Sequence, residues 1–316
     1  MPARAGAASD LVATIGNTPM VELRRLAPHG GVRLFAKLEG ANPTGSVKDR
    51  VARAMIEAAR ADGSLRAGQT ILEPSSGNTG ISLAMIGSRL GHPVRIVMPD
   101  NTTAEREQLL RLYGAEIVFS PGAEGSNGAV RMAERIAAED ADLFMPFQYG
   151  NAANPGVHES TTGPEILEQV PELSAFVAGL GTGGTLTGVG RYLRRVRPAA
   201  KIIAAEPLPG EQVQGLRSLE EGFVPPVLDE SVLDDRYLVN NRDAVIGLRR
   251  LLREEGLFAG LSSGAAIAVG LRVARELESG SVVVLLADGG WKYLSTDLWT
   301  RDLDELEDEL EGSLLW

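Results

Sequence analysis

Short runs rich in β-branched residues alternate with longer amphipathic stretches along almost the whole chain, and this alternation restricts the possible folds. Residues 47–59 illustrate the helical part of the pattern, because their apolar side chains recur at steps of three or four. Strand–helix alternation at this rhythm predicts an α/β fold in which helices cover parallel sheets. The predicted strands are residues 34–38, 70–72, 94–98, 117–119, 176–178, 201–205 and 282–287.

The length of 316 residues is sufficient for about two domains of roughly 150 residues each. Residues 146–155 are rich in turn formers, which predicts a crossing between two lobes. Residues 207–235 form a long Pro-, Gly- and acid-containing connection with little periodicity, and connections of this length are usually functional or disordered.

The composition excludes several classes of protein. A net charge of −11 disfavours nucleic acids and anionic membranes as partners. The sequence has no apolar run of about 18 residues, so no membrane span is predicted. The first ten residues lack the apolar core of a signal peptide, and the chain has no cysteine, so we expect a cytoplasmic protein. Three widely separated histidines predict no metal site.

The segment Pro43-Thr-Gly-Ser-Val-Lys-Asp-Arg50 places a lysine at a helix start. Ser46 and Asp49 form a variant of the capping box, which predicts that the helix begins at Val47. Lys48 would then lie in the first turn, where the helix dipole disfavours a cation and lowers the pKa of the amine. Such a lysine suits imine formation. Taken alone, however, the segment is also compatible with an ordinary solvated lysine.

The segment Ile71-Leu-Glu-Pro-Ser-Ser-Gly-Asn-Thr-Gly80 joins a predicted strand to a predicted helix through a turn rich in hydroxyl groups and glycine. Backbone N–H groups and hydroxyls in such a turn can bind a carboxylate or a phosphate. An ordinary capped strand–helix turn is an equally good interpretation of this segment.

A third segment contains the spacing G-x-G-x-x-G at Gly179, Gly181 and Gly184, and Glu206 follows about 20 residues later. This pattern is compatible with the pyrophosphate of NAD. It is equally compatible with a tight cup around the single phosphate of another cofactor.

A fourth segment, Gly260-Leu-Ser-Ser-Gly264, matches the G-x-S-x-G pattern of hydrolases. A hydrolase of this type needs a histidine downstream of the serine, and His158 is the last histidine in the chain. The sequence therefore excludes a serine hydrolase of this type.

Together and in this order, the segments resemble the fold-type II pyridoxal 5'-phosphate (PLP) enzymes of the cysteine synthase and cystathionine β-synthase group. The resemblance covers nearly the whole chain and implies a two-lobed α/β fold with parallel-rich twisted sheets flanked by helices. It also implies a smaller, mobile lobe of residues 40–150, and a larger PLP-phosphate-binding lobe of residues 1–39 and 151–316. The matching segments are residues 15–19, 43–50, 75–80, Gln148 with Asn151 and Asn154, 181–185, 262–264 and 293–296.

The resemblance implies a role for each matching residue. Lys48 corresponds to the Schiff-base lysine, and Asn78 corresponds to the asparagine that hydrogen-bonds the ring hydroxyl of PLP. The implied cup for the PLP phosphate consists of Gly181, Thr182, Gly183, Gly184 and Thr185. The implied substrate-carboxylate residues are Ser75, Ser76 and Thr79, assisted by Gln148.

The chain departs from the family pattern at the partner of the pyridine nitrogen. Many members have a serine in a Pro-Ser-Ser-Gly segment there, but this chain reads Ala287-Asp-Gly-Gly290. We therefore assign this role to Ser262, with Asp288 as the second choice. A neutral hydroxyl would leave the ring nitrogen unprotonated, which favours elimination.

Two features resemble one branch of the family, the cysteine synthases that use O-phosphoserine. Arg217 is similar to the arginine that recognises the phosphoryl group in that branch, and a guanidinium suits a phosphate dianion. The alternative is a surface arginine paired with Glu220 or Glu221. The ending Gly-Ser-Leu-Leu-Trp316 is similar to the mobile tail of that branch, whose sulfur donor is a small carrier protein with a C-terminal thiocarboxylate.

The resemblance thus implies PLP as cofactor, O-phosphoserine as substrate, a carrier thiocarboxylate or sulfide as sulfur donor, and a homodimer. Within the family, the alternatives are an O-acetylserine sulfhydrylase and a cystathionine β-synthase, although the chain is too short for the extensions of the latter. From other classes, an NAD-dependent dehydrogenase would explain Glu206 but neither Lys48 nor Asn78. A non-catalytic binding module would have no reason to keep the lysine and the phosphate cup.

Overall fold

The computed structural model describes residues 7–75, 77–211 and 213–304 and contains two β-sheets. The strands are β1 (Met20–Glu22), β2 (Val32–Leu38), β3 (Thr70–Pro74), β4 (Val94–Pro99), β5 (Glu116–Ser120), β6 (Leu143–Phe144), β7 (Leu173–Gly179), β8 (Lys201–Pro207), β9 (Asp235–Val239) and β10 (Gly280–Leu286). The helices are α1 (Lys48–Ala61), α2 (Asn78–Leu90), α3 (Ala104–Leu112), α4 (Gly125–Glu139), α5 (Ala153–Val157), α6 (Gly163–Gln169), α7 (Gly184–Val196), α8 (Asn241–Glu255) and α9 (Leu261–Glu276). A π-helical turn, His158–Thr162, joins α5 to α6.

The larger sheet has the strand order β1-β2-β10-β7-β8-β9, and the smaller sheet has the order β5-β4-β3-β6. All neighbouring strands are parallel, except that β1 runs antiparallel to β2. Parallel strands need crossover connections, and the helices between them provide these. The predicted α/β class with parallel-rich sheets is confirmed.

Helices cover both faces of each sheet. Neighbouring residues on a strand point to opposite faces, so they pack into different cores. On β7, Val177 packs into a core formed with α8 and α9, while Phe176 packs into a second core with α6 and α7. On β3, Ile71 packs against α1 and α2, while Leu72 packs against α4. These four cores account for the continuously apolar character of the central strands.

Strands β1 and β2 belong to the larger sheet, β3 to β6 form the smaller sheet, and β7 to β10 complete the larger sheet. Residues of both sheets therefore meet where the chain crosses between them. The exact domain limits at residues 40–150, and the mobility of the smaller lobe, stay predictions.

All seven predicted strands overlap observed strands, and the structure adds β1, β6 and β9. The three additional strands are short or lie at a sheet edge. Strand β9 also begins with two exposed charged residues, Asp235 and Arg236. Without a buried face, such segments give little periodic signal in the sequence.

The predicted helix at residues 47–59 is α1, but the predicted capping box is not formed. The Asp49 carboxylate accepts hydrogen bonds from Thr44 N at 2.7 Å and from Ser82 Oγ at 2.5 Å. Ser46 Oγ accepts from Lys48 N at 3.3 Å instead of reaching further into the helix. The capping prediction was wrong because Asp49 bonds to Thr44 and Ser82, and Ser46 bonds to the nearer N–H group of Lys48. None of the described helices has the length and apolarity needed to cross a membrane.

Candidate active site

The predicted site residues lie at the carboxyl ends of parallel strands, where α/β proteins usually bind ligands. The end of β3 leads through Ser75 to α2, and the end of β7 leads through residues 180–183 to α7. The start of α1 is attached to the same region, because Val47 N donates a hydrogen bond to Ala287 O at 2.8 Å. The two sheets thus present their loops to a common cleft.

Lys48 is the first residue of α1 and lines this cleft. Burial lowers the pKa of its amine, and the carboxylate of Asp288 opposes this effect only in part. The sequence predicted a lowered pKa from the helix dipole, whereas burial is the main cause in the structure. Among the described residues, Lys48 Nζ has no hydrogen-bond partner. The amine is therefore available for a ligand.

Neighbouring protein atoms pack very closely against two glycines of the loop between β7 and α7. A methyl group on Gly181 would lie 2.5 Å from Gly215 O, and one on Gly184 would lie 2.0 Å from Asn154 Oδ1. Only glycine fits at these two positions without displacing its neighbours. The loop ends at the N-terminus of α7, where backbone N–H groups favour an anion.

The hydroxyls of the same loop are held by neighbouring side chains. Thr182 Oγ1 accepts hydrogen bonds from Asn154 Nδ2 at 3.1 Å and from Gly184 N at 3.3 Å. Thr185 Oγ1 lies 3.3 Å from Nε2 of His158, a buried imidazole whose pKa is lowered mainly by burial. The residues that line this part of the cleft include Lys48, Gly181, Thr182, Gly183, Thr185 and Ser262. The predicted phosphate cup and the predicted Schiff-base lysine therefore face one cavity.

The two candidates for the pyridine-nitrogen partner have different surroundings. Ser262 is the second residue of α9, is buried, and lines the cavity beside Lys48. Asp288 is also buried but does not line that cavity: its Oδ2 accepts hydrogen bonds from Asn78 Nδ2 at 2.8 Å and from Tyr293 Oη at 2.9 Å, while its Oδ1 has no partner among the described residues. This difference favours Ser262, and the assignment stays a prediction.

The predicted substrate-carboxylate residues lie together at the start of α2. Ser75 Oγ accepts hydrogen bonds from the backbone N–H groups of Gly77 and Gly80, at 3.2 and 3.0 Å. Thr79 Oγ1 donates to Gln148 Oε1 at 2.6 Å. All three predicted side chains, Ser75, Thr79 and Gln148, line the same cleft as Lys48. Ser76, the fourth predicted residue, lies outside the described residues.

Arg217 is buried and lines the same cleft as Asn78 and Thr79 of α2. Its guanidinium lies 4.7 Å from the ring centre of Phe223 and 5.5 Å from that of Tyr149, and its Nη1 donates to Asn127 Oδ1 at 2.9 Å. Among the described residues no carboxylate forms an ion pair with it, so the alternative of an arginine paired with Glu220 is wrong. The side chain of Glu221 is outside the described set.

The sequence did not predict two buried groups that shape the site. Glu73, at the end of β3, accepts hydrogen bonds from Phe147 N and Gln148 N at 2.8 and 2.9 Å, and thereby fixes the crossing segment. Burial raises the pKa of this carboxyl to about 8. Lys292 Nζ donates to Asn78 Oδ1 at 2.6 Å. No pattern in the sequence distinguished Glu73 from other strand residues. The only sequence signal for Lys292 was its position next to segment 293–296, which matches the family.

Glu206, the residue that suggested a dinucleotide, has a structural role. Its buried carboxylate accepts hydrogen bonds from Leu219 N at 2.7 Å and from Ser218 Oγ at 3.3 Å, and it pairs with Arg236 at 3.2 Å. These contacts anchor the loop that carries Arg217. Within the described ranges, no three His, Cys, Asp or Glu side chains are grouped closely enough to hold a metal ion.

Comparisons with known proteins agree with this geometry. Residues 11–289 match the family described as pyridoxal-phosphate dependent enzymes. A cysteine synthase of Staphylococcus aureus (strain N315) is 44% identical over 298 residues, which cover 91% of this chain and 96% of that protein.

Two solved structures are similar to this one over nearly the whole chain. A mutant of O-ureido-L-serine synthase with O-ureido-L-serine bound has a TM-score of 0.89 and 39% identity, and the alignment covers 98% of this chain and 100% of that one. The cysteine synthase of Entamoeba histolytica has a TM-score of 0.88 and 34% identity, with coverage of 98% and 97%.

Proposed function

This chain belongs to the family of pyridoxal-phosphate-dependent enzymes, and we propose that it makes L-cysteine by β-replacement of O-phospho-L-serine. The cysteine synthases among its relatives support β-replacement as the reaction class. The observation that carries the choice of substrate is Arg217. It is a buried cation on the cleft wall, and among the described residues no carboxylate neutralises it. A phosphoryl group bound there would supply the missing negative charge.

The described residues fit PLP. Lys48 offers an amine with a lowered pKa, which covalent attachment requires. The Gly181–Gly184 loop lies next to the start of a 13-residue helix, where backbone N–H groups favour an anion, and packed neighbours leave no room for a Cβ at Gly181 or Gly184. Ser262 provides a neutral hydroxyl in the same cavity. Lys48, Asn78, Ser262 and the loop residues 181–185 would therefore hold this cofactor.

The substrate would bind across the cleft between α2 and Arg217. The backbone N–H groups at the start of α2, together with Ser75, Thr79 and Gln148, would bind its carboxylate. Arg217 would bind the phosphoryl group, because its planar guanidinium offers five N–H donors and its neighbours are the Asn127 amide, the Tyr149 phenol and the Phe223 ring, with no carboxylate paired to it among the described residues. Two anchors at opposite ends of a small amino acid would fix the position of its Cα and Cβ.

Lys48 is positioned to move the proton that the reaction requires. PLP, when bound, supplies an electron sink for the charge left at the substrate Cα. The Lys48 amine, freed when the substrate takes its place, would remove the proton from Cα as phosphate leaves Cβ. After sulfur adds to Cβ, the same Nζ would return the proton to Cα. Its lowered pKa suits both steps.

The remaining predicted properties belong to the same proposal. The sulfur donor would be a small carrier protein with a thiocarboxylate, or sulfide, and the enzyme would be a cytoplasmic homodimer. The resemblance of residues 312–316 to the tail of the carrier-dependent branch supports the carrier protein, and that segment lies outside the described residues. The resemblance to the family supports the homodimer, and the absence of cysteine supports the cytoplasmic location. Size-exclusion chromatography tests the dimer, and turnover with each sulfur donor tests the branch.

The alternative is an O-acetylserine sulfhydrylase, which the likeness to an O-acetyl serine sulfhydrylase of Entamoeba histolytica favours. To distinguish the two, the visible spectrum of the PLP-loaded protein is recorded while O-phosphoserine or O-acetylserine is added. We expect a spectral change at lower concentrations of O-phosphoserine. A response to O-acetylserine alone would favour the alternative, and a protein that cannot bind PLP would contradict both.

Arg217→Met, which keeps an unbranched side chain without the charge, tests the substrate more directly. We expect kcat/KM for O-phosphoserine to fall by about 100-fold, since a buried charged hydrogen bond contributes roughly 3 kcal/mol. With O-acetylserine the change should stay within about threefold. Equal losses with both substrates would mean that Arg217 only supports the wall of the cleft.

A further inference from the structure

Lys292 is a second lysine close to the cleft, bonded to Asn78, which lines the cleft together with Lys48. The chain has only four lysines, and the side chain of Lys292 is fully buried in the turn that follows β10. Its Nζ donates to Asn78 Oδ1 at 2.6 Å and lies 3.4 Å from Gly45 O. Within the described ranges no carboxylate lies close enough to form an ion pair with it. A buried ammonium without an ion pair is costly, so its position calls for a functional reason.

The contacts around Asn78 allow only one orientation of its amide. Oδ1 accepts from the ammonium of Lys292, while Nδ2 donates to the carboxylate of Asp288 at 2.8 Å. A flipped amide would place its NH2 group against the ammonium and its oxygen against the carboxylate. Both contacts would then be repulsive. Lys292 and Asp288 therefore fix the amide from two sides.

This orientation determines what Asn78 can offer to a ligand. An amide nitrogen carries two hydrogens, and Asp288 accepts only one of them. Asn78 also lines the cleft beside Lys48, so its other N–H is the polar group left for a ligand there. An N–H donor would stabilise an oxygen anion on the ligand, whereas a flipped amide would destabilise it.

We propose that Lys292 is a positioning residue that holds the Asn78 amide so that its remaining N–H meets the ring oxygen of PLP. This inference rests on the proposed role of Asn78 in cofactor binding. Lys292 does not line the cleft, so it acts through Asn78 and not by contact with the reacting atoms. It differs in this respect from Lys48, whose amine faces the cavity.

The charged groups around Lys292 support this arrangement. Burial lowers the pKa of its ammonium, Asp288 and Asp49 raise it, and Arg106 and Lys48 lower it, to a result of about 8. At pH 7 the side chain is therefore mostly protonated, and it donates to Oδ1 as a charged group. Charged donors form stronger hydrogen bonds than neutral ones.

The test compares Lys292→Met, which removes the donor, with Lys292→Arg, which keeps a charged donor. For Lys292→Met we expect PLP affinity, measured by equilibrium dialysis, to fall by about tenfold. We also expect the visible absorption maximum of the bound cofactor to shift. Lys292→Arg should recover most of both properties. The matched control, Lys201→Met at the exposed start of β8, should match the wild type.

A double-mutant cycle separates this role from a general effect on folding. In an Asn78→Ala background, Lys292→Met should lower PLP affinity by less than about twofold, because the group it positions is absent. Equal losses in both backgrounds, or wild-type affinity and spectrum in the single variant, would overturn the inference. Borohydride reduction followed by peptide mapping should locate PLP on Lys48 in every variant. Its absence from Lys48 in the wild type would instead contradict the proposed function.

Discussion

The half of the site that would hold the cofactor and the half that would hold the substrate are built differently. Glycine backbone packed against other backbone and buried side chains forms the cofactor half, around residues 181–185. Bonds between side chains form most of the substrate half, such as Thr79 to Gln148 and Arg217 to Asn127. The first construction is the more rigid of the two, because its backbone is closely packed at Gly181 and Gly184. The second can rearrange when a ligand offers better partners.

This contrast has a chemical reason. A cofactor that stays bound through many turnovers benefits from a permanent cradle, whereas a substrate must enter and leave each time. Arg217 joins the two walls of the cleft through its bond to Asn127 of α4. When the substrate phosphoryl group binds, this hydrogen bond would have to break, or Arg217 would have to bind the phosphoryl group through its other N–H groups. We therefore expect mutations in the two halves to affect different measured quantities.

The largest effect is expected at Lys48, where the two halves meet. Lys48→Ala removes the amine that would both attach PLP and move the Cα proton, so turnover should fall by at least about 10⁴-fold. PLP should still bind without covalent attachment, because the phosphate cup is intact. Activity assays and borohydride reduction test this, with Lys201→Ala as the control. Near-normal turnover would show that another group is the base.

The next effect is expected from Gly184→Ala in the cofactor half. The added methyl group would lie 2.0 Å from Asn154 Oδ1, so the helix start or the Asn154 side chain must move. We expect a loss of about 3 kcal/mol in the free energy of unfolding, together with weaker PLP binding. Gly156→Ala in α5 is a matched control, since a methyl group there meets nothing within 4 Å. Similar urea midpoints for the two variants would refute the rigid cradle.

A third prediction concerns the buried charges that attach α1 to the larger sheet. Glu165 accepts hydrogen bonds from Arg50 at 2.7 Å and from Lys37 at 2.8 Å. Burial alone would raise the pKa of this carboxyl, but Arg50 and Lys37 lower it to about 2, below the ordinary value of 4.5. A pKa lowered by folding stabilises the protein above pH 4.5, and this contribution is lost as the pH falls from 4.5 to 2.

Glu165→Gln should therefore lower the free energy of unfolding at pH 7 by about 2 kcal/mol, after allowance for partial exposure. The difference from the wild type should shrink as the pH falls towards 2. The exposed neighbour Glu168, on the same helix, provides the control variant Glu168→Gln. Urea unfolding at several pH values measures both. A difference that does not change with pH would show that charge is not the cause.

The two halves also differed in how well the sequence predicted them. Gly181 and Gly184 belong to a glycine pattern that is visible in the sequence, because Gly215 O and Asn154 Oδ1 leave no room for a Cβ at these positions. The family resemblance was still needed to choose a PLP phosphate over the pyrophosphate of NAD. Arg217 was predicted only through a family resemblance, and its contacts with Asn127 and Phe223 join segments that are distant in sequence. Glu73 and Lys292 act through tertiary contacts alone, and a single chain has no local signal for such contacts.

The smallest effect is expected from Gln148→Glu in the substrate half. The new carboxylate would lie beside the proposed site of the substrate carboxylate, and the repulsion should raise KM by about tenfold. Glu can still accept the hydrogen bond from Thr79, although it loses the 3.3 Å hydrogen bond that Gln148 Nε2 donates to Pro74 O. The affinity for PLP should stay within about twofold of the wild type, because Gln148 does not line the cavity of the phosphate cup. Steady-state kinetics and equilibrium dialysis separate the two quantities, and a joint loss of both would mean that the halves are not independent.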